Sequence, residues 1–545
     1  MVEINLSKGF NGFWINAGKF METLGKGPLA INYFSKVLHS DPDNFTALYN
    51  ICKIYRKNNQ IKDAITYLDD FLEFNPENAL AWQNKGFFLG KLGKKEEVET
   101  CQKTALKFYD ADLEKNPKDA LKWLNKGVVL DNLRKYEDAV HSYDKSLNLN
   151  PEYINAWKNK GYVFLKKEEY VEALKCFDEA LKLKAYDFEI WLGKARSLNG
   201  LKEYYKSIAC FNRSLKFNSN CTDAYYGKFF VFLDIKEYDE ALKCLNQVME
   251  LDPKEKEKAL YLMGILLGIT HKYQEALDVF EELVQVNPDN PLYWEFKGRN
   301  LNGLKKYQEA LECVNKALKL EPENSEIWQL KGHTLKAMNT YLEALNCFNT
   351  ALKLDSKEAT NWTSKGFLME EMGSLEGLKK CFKQAVKRCD ELIEEDPEDK
   401  YLLLLKASSL RGLELYDSAL ECVNKSIELD PDYDSALDLK GYILRKMGRY
   451  TEALTCFDKA LQIDPDEAEY WYDKGRALCG LSRYEESLKC FDKALNLDPI
   501  HKEALCTKGV VLKKLGKETE FRRYVNMVLD INPLFEPARI LKQLK

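Results

Sequence analysis

Apolar side chains recur along this chain in a helical spacing that is renewed about every 34 residues. In each unit they stand at positions 4, 8 and 11 and again at positions 20, 24 and 27, with polar residues between them. Intervals of three and four residues place these side chains on one face of an α-helix. Each unit is therefore predicted to form two amphipathic helices that pack on each other.

Proline near the end of each unit sets the period. It follows Asp, Asn or Glu at positions 42, 76, 117, 151, 253, 288, 322, 397, 431, 465, 499 and 533. Ala185, Ser219 and Ser356 occupy the slots where a proline is missing from this series. With this slot numbered 32, the chain contains fifteen units, of which twelve have 34 residues, one has 35 and two have 41.

The units leave little of the chain outside the array. The period predicts a lead-in over residues 1–10, fifteen tandem units over residues 11–535 and a short amphipathic helix over residues 536–545. Because an open array exposes the apolar face of its last unit, the terminal helix is expected to act as a cap.

Large and small residues alternate at the predicted helix contacts. All nine tryptophans stand at position 4, position 8 is Gly in eleven units, and position 20 is Ala in ten. Bulky residues that face small ones allow two helices to approach closely. Phe229 is the one large residue at position 8, so its helix pair is expected to pack differently or to tilt.

This helix pair with its 34-residue period resembles the tetratricopeptide repeat, whose pattern has an aromatic residue at 4, Gly at 8, Ala at 20 and Pro at 32. The unit that runs through Trp471, Gly475, Ala494 and Pro499 follows the pattern closely, and the resemblance covers about 96% of the chain. It implies an all-α fold, a right-handed superhelix (α-solenoid) of about fifteen helix-turn-helix repeats with a C-terminal capping helix. It also implies that the first helices line a concave face and present positions 2, 5, 9, 12 and 13 to a bound peptide.

Two units gain seven residues late in the second helix, near 101–116 and 381–396. Seven residues make close to two helical turns, so the helix lengthens while its buried face stays nearly in phase. We expect each extension to cover apolar surface of a neighbouring unit. The alternative is that the two extensions are docking sites.

Twelve units carry Lys at position 7. A row of lysines suggests an anion track, but the residue also lies beside the tryptophan at position 4. We expect the aliphatic stem to pack on that ring while the ammonium group reaches solvent or a nearby acid.

The net charge of the chain and the length of its apolar runs exclude some classes of partner and of membrane attachment. The chain has 81 Lys and Arg against 86 Asp and Glu, a net charge of -5, with no long block of one sign, which disfavours nucleic acid and anionic membranes as partners. The first ten residues lack the charged and apolar regions of a signal peptide. The longest apolar run, Ala259–Thr270, is shorter than the ~20 residues of a membrane span.

Residues with chemical reactivity are present without the spacing that catalysis or metal binding needs. Ten of the fifteen cysteines share position 23, which predicts packing residues in a reducing compartment, and hence a cytoplasmic protein. None of the five histidines forms a metal-ligand pair, and no phosphate-binding loop or nucleophile elbow occurs. The sequence therefore predicts no catalytic residue, no metal and no cofactor.

A ligand-binding site is expected on the first-helix face, the surface formed by positions 2, 5, 9, 12 and 13. The seventh and eighth units are unusually apolar there, and polar residues flank them in the sixth and ninth. The apolar set is Tyr226, Phe230, Leu233, Tyr261, Ile265 and Ile269, and the flanking set is Arg196, Asn199, Arg299 and Asn302. Such a trough suits a protein or peptide with apolar anchors and acidic or carboxylate groups. The alternative is that Phe229 and Phe230 pack into the adjacent unit or into a second copy of the chain.

The sequence thus predicts a non-catalytic scaffold that binds proteins or peptides on the first-helix face. A regulatory sensor that holds a small molecule or a sugar nucleotide in the coil is the alternative function. An enzyme would require acids of several units to converge.

Overall fold

The computed structural model describes residues 11–531 and 535–543, which form thirty-one α-helices and no strand. The predicted lead-in over residues 1–10 lies outside the described residues. Helices follow one another in pairs, and the odd-numbered member of each pair is the first helix of a repeat.

The first helices of the fifteen repeats are α1 Asn11–Thr23, α3 Phe45–Lys57, α5 Ala79–Lys91, α7 Ala120–Asn132, α9 Ile154–Lys166, α11 Phe188–Gly200, α13 Thr222–Asp234, α15 Lys256–Ile269, α17 Pro291–Gly303, α19 Ser325–Ala337, α21 Ala359–Glu371, α23 Lys400–Gly412, α25 Asp434–Lys446, α27 Ala468–Gly480 and α29 Lys502–Lys514.

The second helices are α2 Gly27–Ser40, α4 Ile61–Phe74, α6 Lys95–Lys115, α8 Tyr136–Leu149, α10 Tyr170–Leu183, α12 Tyr204–Phe217, α14 Tyr238–Leu251, α16 Tyr273–Val286, α18 Tyr307–Leu320, α20 Tyr341–Leu354, α22 Leu375–Glu395, α24 Tyr416–Leu429, α26 Tyr450–Ile463, α28 Tyr484–Leu497 and α30 Glu518–Ile531. Helix α31, Glu536–Gln543, follows the last pair, and a single 3₁₀ turn, Pro253–Glu255, precedes α15.

Helix ends are set by local side-chain chemistry. Many first helices begin after an Asn, Asp or Glu whose side chain accepts a hydrogen bond from the first turn, as Asn78 Oδ1 does from the backbone N–H of Ala81 at 2.8 Å. Position 15, between the two helices of a repeat, has a positive φ in every repeat, for example 75° at Gly93 and 60° at Lys305. This left-handed residue ends the first helix and reverses the chain.

The two helices of a repeat approach closely because position 8 lacks a side chain. A Cβ atom built on Gly127 would lie 2.6 Å from the ring of Tyr143, and one built on Gly441 would lie 2.6 Å from the ring of Phe457. Both rings stand at position 24 and are fully buried. The predicted contact between small and bulky positions is therefore confirmed.

Repeat 7 departs from this pattern. Phe229 at position 8 is buried, and position 24 of the same repeat is Leu245, a smaller residue than the Phe found there in many repeats. Two sizeable side chains therefore stand where other repeats combine glycine with a bulky ring.

Tryptophan at position 4 ties a repeat to the preceding one in eight of the fifteen repeats. Eight of the nine indole Nε1 atoms donate to the backbone carbonyl of position 32 one repeat earlier, at 2.8 to 3.0 Å. The carbonyls of Ala185 and Ser356 accept this bond as those of the prolines do. The bond needs only a backbone oxygen, so proline is not required for it.

Lysine at position 7 forms a second link between repeats. Lys126 Nζ lies 4.9 Å from the ring centroid of Trp123 and 2.7 Å from Asp110 of the preceding repeat. The same two contacts recur elsewhere, as at Lys160, which lies 5.7 Å from its tryptophan and 2.6 Å from Asp144. The predicted contact of the ammonium group with a nearby acid is confirmed.

The two long second helices are α6 and α22, which have 21 residues where the other second helices have 14. In the added turns of α6, Tyr109 is buried and packs against Ala79 and against Val129 of the next repeat. In α22, Cys389 is fully buried. The added turns of α6 thus contribute Tyr109 to a cluster that joins two repeats.

The repeats group into two compact units, which divide between Met263 and Gly264 within α15. At the end of the second unit, Ala538 of α31 is buried in one cluster with Leu505 and Val528 of repeat 15.

Within the second unit, repeats that are five apart also contact each other. The residue at position 15 of repeats 8, 9 and 10 contacts, respectively, a residue near the end of repeat 13, a residue near the end of repeat 14 and the first residue of repeat 15. The three contacts are His271 Nε2 to Asp464 Oδ2 at 3.9 Å, Lys305 Nζ to Asp498 Oδ2 at 2.6 Å and Lys502 Nζ to Asn339 Oδ1 at 3.2 Å. We call these three pairs the cross-repeat seam.

Candidate functional site

In the first compact unit, the predicted site begins with Arg196 and Asn199 on helix α11. Arg196 Nη2 lies 3.6 Å from Asp223 Oδ1 of the next repeat, so the guanidinium group already has an acidic neighbour. Asn199 Oδ1 is buried and has no hydrogen-bond partner among the described residues.

On α13, Tyr226 is buried and its hydroxyl donates to Glu255 Oε2 at 3.0 Å. Lys258 Nζ lies 4.2 Å from the centroid of the same ring. Phe230 is 47% exposed and packs edge-to-face on Phe229. Phe230 is therefore available to a partner, whereas Tyr226 is engaged within the protein.

The remaining apolar residues of the predicted set differ in exposure. Leu233 on α13 and Tyr261 on α15 are half-buried within the first unit. In the second unit, Ile265 is half-buried and Ile269 is 57% exposed.

The second-unit part of the set ends on α17. Arg299 donates through Nε and Nη2 to Glu295 Oε1, one turn earlier, at 2.9 and 2.7 Å, and Glu295 is buried. Asn302 Nδ2 donates to Thr334 Oγ1 at 2.8 Å. The predicted residues are thus distributed over both compact units, and both guanidinium groups have acidic neighbours of their own.

A larger trough, which the sequence did not indicate, crosses the first helices of repeats 2 to 5 in the first unit. It encloses a cavity of about 780 Å³. Its wall combines aromatic rings, amide groups and apolar side chains with three cations and three acids. These are, in part, Phe45, Tyr49, Asn84, Leu124, Asn125, Val128, Asn159, Arg56, Lys158, Lys184, Glu152, Asp187 and Glu189. We call this surface the first-unit trough.

Asparagine at position 6 is the repeated feature of this trough. It occurs in three successive repeats of the lining, at Asn84, Asn125 and Asn159. The Nδ2 atom of Asn84 donates to the carbonyl one turn back, at 2.8 Å, which fixes the orientation of the amide. Position 6 lies outside the set taken as the first-helix face, so these residues were missed, although their common register in the sequence could have revealed them.

Aromatic rings form one end of the first-unit trough. Phe45 and Tyr49 on α3 stack with their centroids 5.5 Å apart, and Tyr49 is exposed. At the other end, Lys158 forms an ion pair with Glu189, and the hydroxyl of Tyr162 donates to the Glu189 carbonyl at 2.8 Å. The trough therefore offers an apolar end and a polar end, with amides between them.

A buried histidine links the first helices of repeats 14 and 15. His501 Nε2 lies 3.0 Å from Glu469 Oε2, and its Nδ1 lies 3.2 Å from Glu503 Oε2. Burial lowers the pKa of His501, but the hydrogen bonds to the two carboxylates raise it by more, to about 9. The imidazole is therefore charged at neutral pH.

This histidine should make the second unit less stable at alkaline pH. A pKa that is raised above the unfolded value of about 6.5 contributes stability that is fully present below pH 6.5 and is lost as pH rises through about 9. We expect the thermal midpoint to fall by a few degrees between pH 6.5 and 9.5, and to fall less in His501→Asn. Circular dichroism melts measure this, with the exposed His141→Asn as control. Equal slopes in wild type and His501→Asn would contradict it.

All fifteen cysteines are free, and fourteen of them are buried. Burial raises the pKa of the Cys176 thiol to about 11, which keeps it protonated and poorly nucleophilic. The cysteines at position 23 thus serve as packing residues.

Paired helices that stack repeat on repeat, with a variable face on the first helix of each pair, define an α-solenoid of the protein-interaction class. Family models described as tetratricopeptide repeat match the chain, and the chain belongs to this family. The matched residues are 24–85, 123–153, 154–186, 223–255, 261–325, 325–358, 401–433 and 468–501, with a further TPR repeat match at 441–481. The all-α solenoid that the sequence predicted is thereby confirmed.

Solved structures share this fold at low sequence identity. A chain from the crystal structure of the APC/C hetero-tetramer Cut9–Hcn1 has a TM-score of 0.56 and 16% identity over 98% of this chain and 96% of that chain. A chain of yeast Tom70 aligns with a TM-score of 0.35 and 18% identity over 78% of this chain and 97% of that chain. No curated protein matches the sequence. Within residues 11–531 and 535–543, every helix is too short or too polar to cross a membrane.

Proposed function

We propose that this chain is a non-catalytic scaffold that binds proteins or peptides along the first helices of its repeats. The observation that carries the proposal is the first-unit trough, a cavity of about 780 Å³ that crosses several repeats. Tetratricopeptide repeat proteins generally act as interaction scaffolds, and this chain belongs to that family.

The lining of the trough suits an extended peptide. The amides of Asn84 and Asn125 can pair with a peptide backbone, because an amide both donates and accepts hydrogen bonds. The rings of Phe45 and Tyr49 can hold an apolar side chain, since aromatic surface gives large contact area at low entropic cost. Arg56 adds positive charge for an acidic or carboxylate group of the partner, whereas Lys158 is already paired with Glu189.

The sequence-predicted residues extend this proposal to other repeats. Phe230 in the first unit and Ile269 in the second are both exposed apolar residues, and each is proposed as an anchor contact within its own unit. Fifteen free thiols are compatible with a reducing environment, and we place the protein in the cytoplasm on this basis.

Affinity capture from native lysate with quantitative mass spectrometry tests the proposed function. The test variant is Phe45→Ala with Tyr49→Ala, which removes the aromatic end of the trough. The matched control is Phe74→Ala with Tyr205→Ala, which removes the same two residue types from exposed positions on second helices. We expect partners held by wild type and control to be at least tenfold depleted on the test variant, which corresponds to about 1.4 kcal/mol or more.

A second variant, Arg196→Glu with Arg299→Glu, tests the sequence-predicted set separately. All variants are first checked for equal helicity. The same partners at the same level on every variant would contradict both sites. No protein partner on wild type would contradict the scaffold function itself.

A further inference from the structure

The outward face of the long helix α22 separates its charges by sign. Lys380, Lys383, Lys387, Glu391 and Glu394 are all exposed and follow one another at intervals of three and four residues, so they form one line along the helix. Three lysines stand in the N-terminal part of this line and two glutamates in the C-terminal part. We call these five side chains the charge stripe.

The charge stripe lies on the side of α22 that faces away from the protein. The buried residues of this helix include Cys381, Phe382, Ala385 and Cys389, which share the opposite side. With that side, α22 packs against α21 and α23. Because all five stripe residues are exposed, a partner can reach the stripe along its length.

The charges of the stripe are only partly neutralised within the chain. Glu391 accepts a hydrogen bond from Arg388, and Lys387 Nζ lies 3.9 Å from Glu391 Oε1. Lys380, Lys383 and Glu394 form no ion pair in the part of the chain that the structure describes. Exposed pairs such as those of Glu391 contribute little to stability, so they do not bar a partner from the stripe.

This order of charges is unfavourable for the helix by itself. Like charges three or four residues apart repel each other, as Lys383 and Lys387 do, and as Glu391 and Glu394 do. The last turn of a helix also favours cations, whereas the last turn of α22 contains Glu394 and no basic residue. The charge order of α22 is therefore not explained by the stability of its own helix.

The stripe is complementary to itself when two copies run antiparallel. A two-fold axis near Cys389 places Lys387 of one copy opposite Glu391 of the second copy, and Lys383 opposite Glu394. Each of these contacts occurs twice, because both copies use the same surface. A parallel pair of stripes would instead bring like charges together.

The seven extra residues of α22 give this arrangement its length. Helix α22 has 21 residues where most second helices have 14. From Lys380 to Glu394 the stripe rises ~21 Å, which is as long as an entire second helix of ordinary length. The added turns therefore provide room for two blocks of opposite charge on one helix.

Helix α6, the other long second helix, does not have this pattern. The corresponding positions of α6 are Thr100, Lys103, Lys107, Ala111 and Glu114. Lys103 is paired with Glu99 of its own helix at 2.7 Å, and the last turn contains Lys115. The separation of charge is thus a property of α22 and not of long second helices in general.

We propose that the charge stripe of α22 is a self-association surface, to which a second copy of this chain binds in an antiparallel, two-fold arrangement. The proposal goes beyond the proposed function, because it concerns a second helix and needs no bound peptide. One pair of helices buries less than the roughly 1,200 Å² of a stable interface, so the dimer is weak and depends on concentration. Because ion pairs hold it, the dimer also weakens as salt is added.

Sedimentation equilibrium of the full chain measures this association. We expect the dissociation constant of the wild-type dimer to rise at least tenfold between about 50 mM and about 500 mM NaCl, because salt screens exposed charges. Lys383→Glu with Lys387→Glu makes most of the stripe acidic and should weaken association at low salt at least tenfold. The matched control, Lys103→Glu with Lys107→Glu, changes the same residue types at the corresponding positions of α6 and should associate as wild type does.

A complementary variant, Glu391→Lys with Glu394→Lys, makes the stripe basic and should also weaken self-association at least tenfold. A mixture of the two stripe variants tests the geometry, since the acidic stripe of one then faces the basic stripe of the other. We expect the mixture to form a heterodimer at least as tight as the wild-type dimer. Circular dichroism first establishes that all variants are as helical as wild type.

A wild type that stays monomeric at low salt would overturn the proposal and leave the stripe to a partner of different sequence. A dimer that persists unchanged in both stripe variants would also overturn it, because another surface would then hold the two copies together. So would a mixture of the two fully helical variants that forms no heterodimer. These outcomes are independent of the capture experiment, which probes the first helices.

Discussion

Replacing Phe457 by alanine is expected to lower the free energy of unfolding of the second compact unit by about 3 to 5 kcal/mol. The ring is 0% exposed and packs in one cluster with Leu444, Ala453 and Ala477. Removing it deletes buried apolar surface and leaves a cavity between two helices that cannot close fully, because Gly441 already stands at their closest approach. Urea unfolding followed by circular dichroism at 222 nm measures the change.

The control for this prediction is Phe74→Ala, because that ring is 83% exposed at the end of α4. Its loss should change the unfolding free energy by no more than about 0.5 kcal/mol. A Phe457→Ala midpoint equal to that of wild type would mean that position 24 does not carry the packing of the repeat.

A side chain at Gly441 is expected to destabilise the second unit by about 1 to 3 kcal/mol through overpacking. The nearest atom of Phe457 lies 2.6 Å from where a Cβ would stand, and the ring is enclosed on all sides. Gly441→Leu therefore forces the two helices apart or moves the ring from its preferred rotamer. The loss is read from the same urea titration.

Repeat 7 suggests how this damage can be repaired. There Phe229 at position 8 coexists with the smaller Leu245 at position 24. Adding Phe457→Leu to Gly441→Leu should therefore restore part of the stability, and the two substitutions should be less harmful together than the sum of their separate effects. Strictly additive losses would show that the two positions do not share one contact.

The fold could be predicted from the sequence because its determinants recur in each unit. Positions 8 and 24 are small and bulky in many repeats, and the structure brings them together, as at Gly127 and Tyr143. The lysine at position 7 also pairs with a nearby acid as predicted, as Lys126 does with Asp110. Contacts within one repeat, or between two neighbouring repeats, could therefore be predicted from the position of each residue in the repeat.

The candidate site was harder to predict from the sequence. Side chains on the first-helix face form hydrogen bonds with partners that their position in the repeat does not reveal. Arg299 turns back to Glu295, one turn earlier on its own helix. Tyr226 reaches Glu255 in the 3₁₀ turn before α15. The position of such a side chain depends on a competing hydrogen bond and not on its helical phase.

Two other features were missed, each for its own reason: the asparagines of the first-unit trough and the contacts between repeats five apart. The asparagines at position 6, such as Asn84, lie just beside the positions assumed to face a ligand. Contacts between repeats five apart depend on small rotations that add up over several helix pairs, so no residue pattern within one repeat encodes them. Only the assembled unit shows that Lys305 meets Asp498.

The cross-repeat seam changes how the end of the chain comes apart. A linear array with contacts only between neighbours frays from its last repeat, one helix pair at a time. Here Lys502, at the start of repeat 15, is bonded to Asn339, which lies 163 residues earlier. Fraying must therefore break lateral contacts as well as the stacking on repeat 14. A protease that attacks frayed helices consequently meets repeats that are also held from the side.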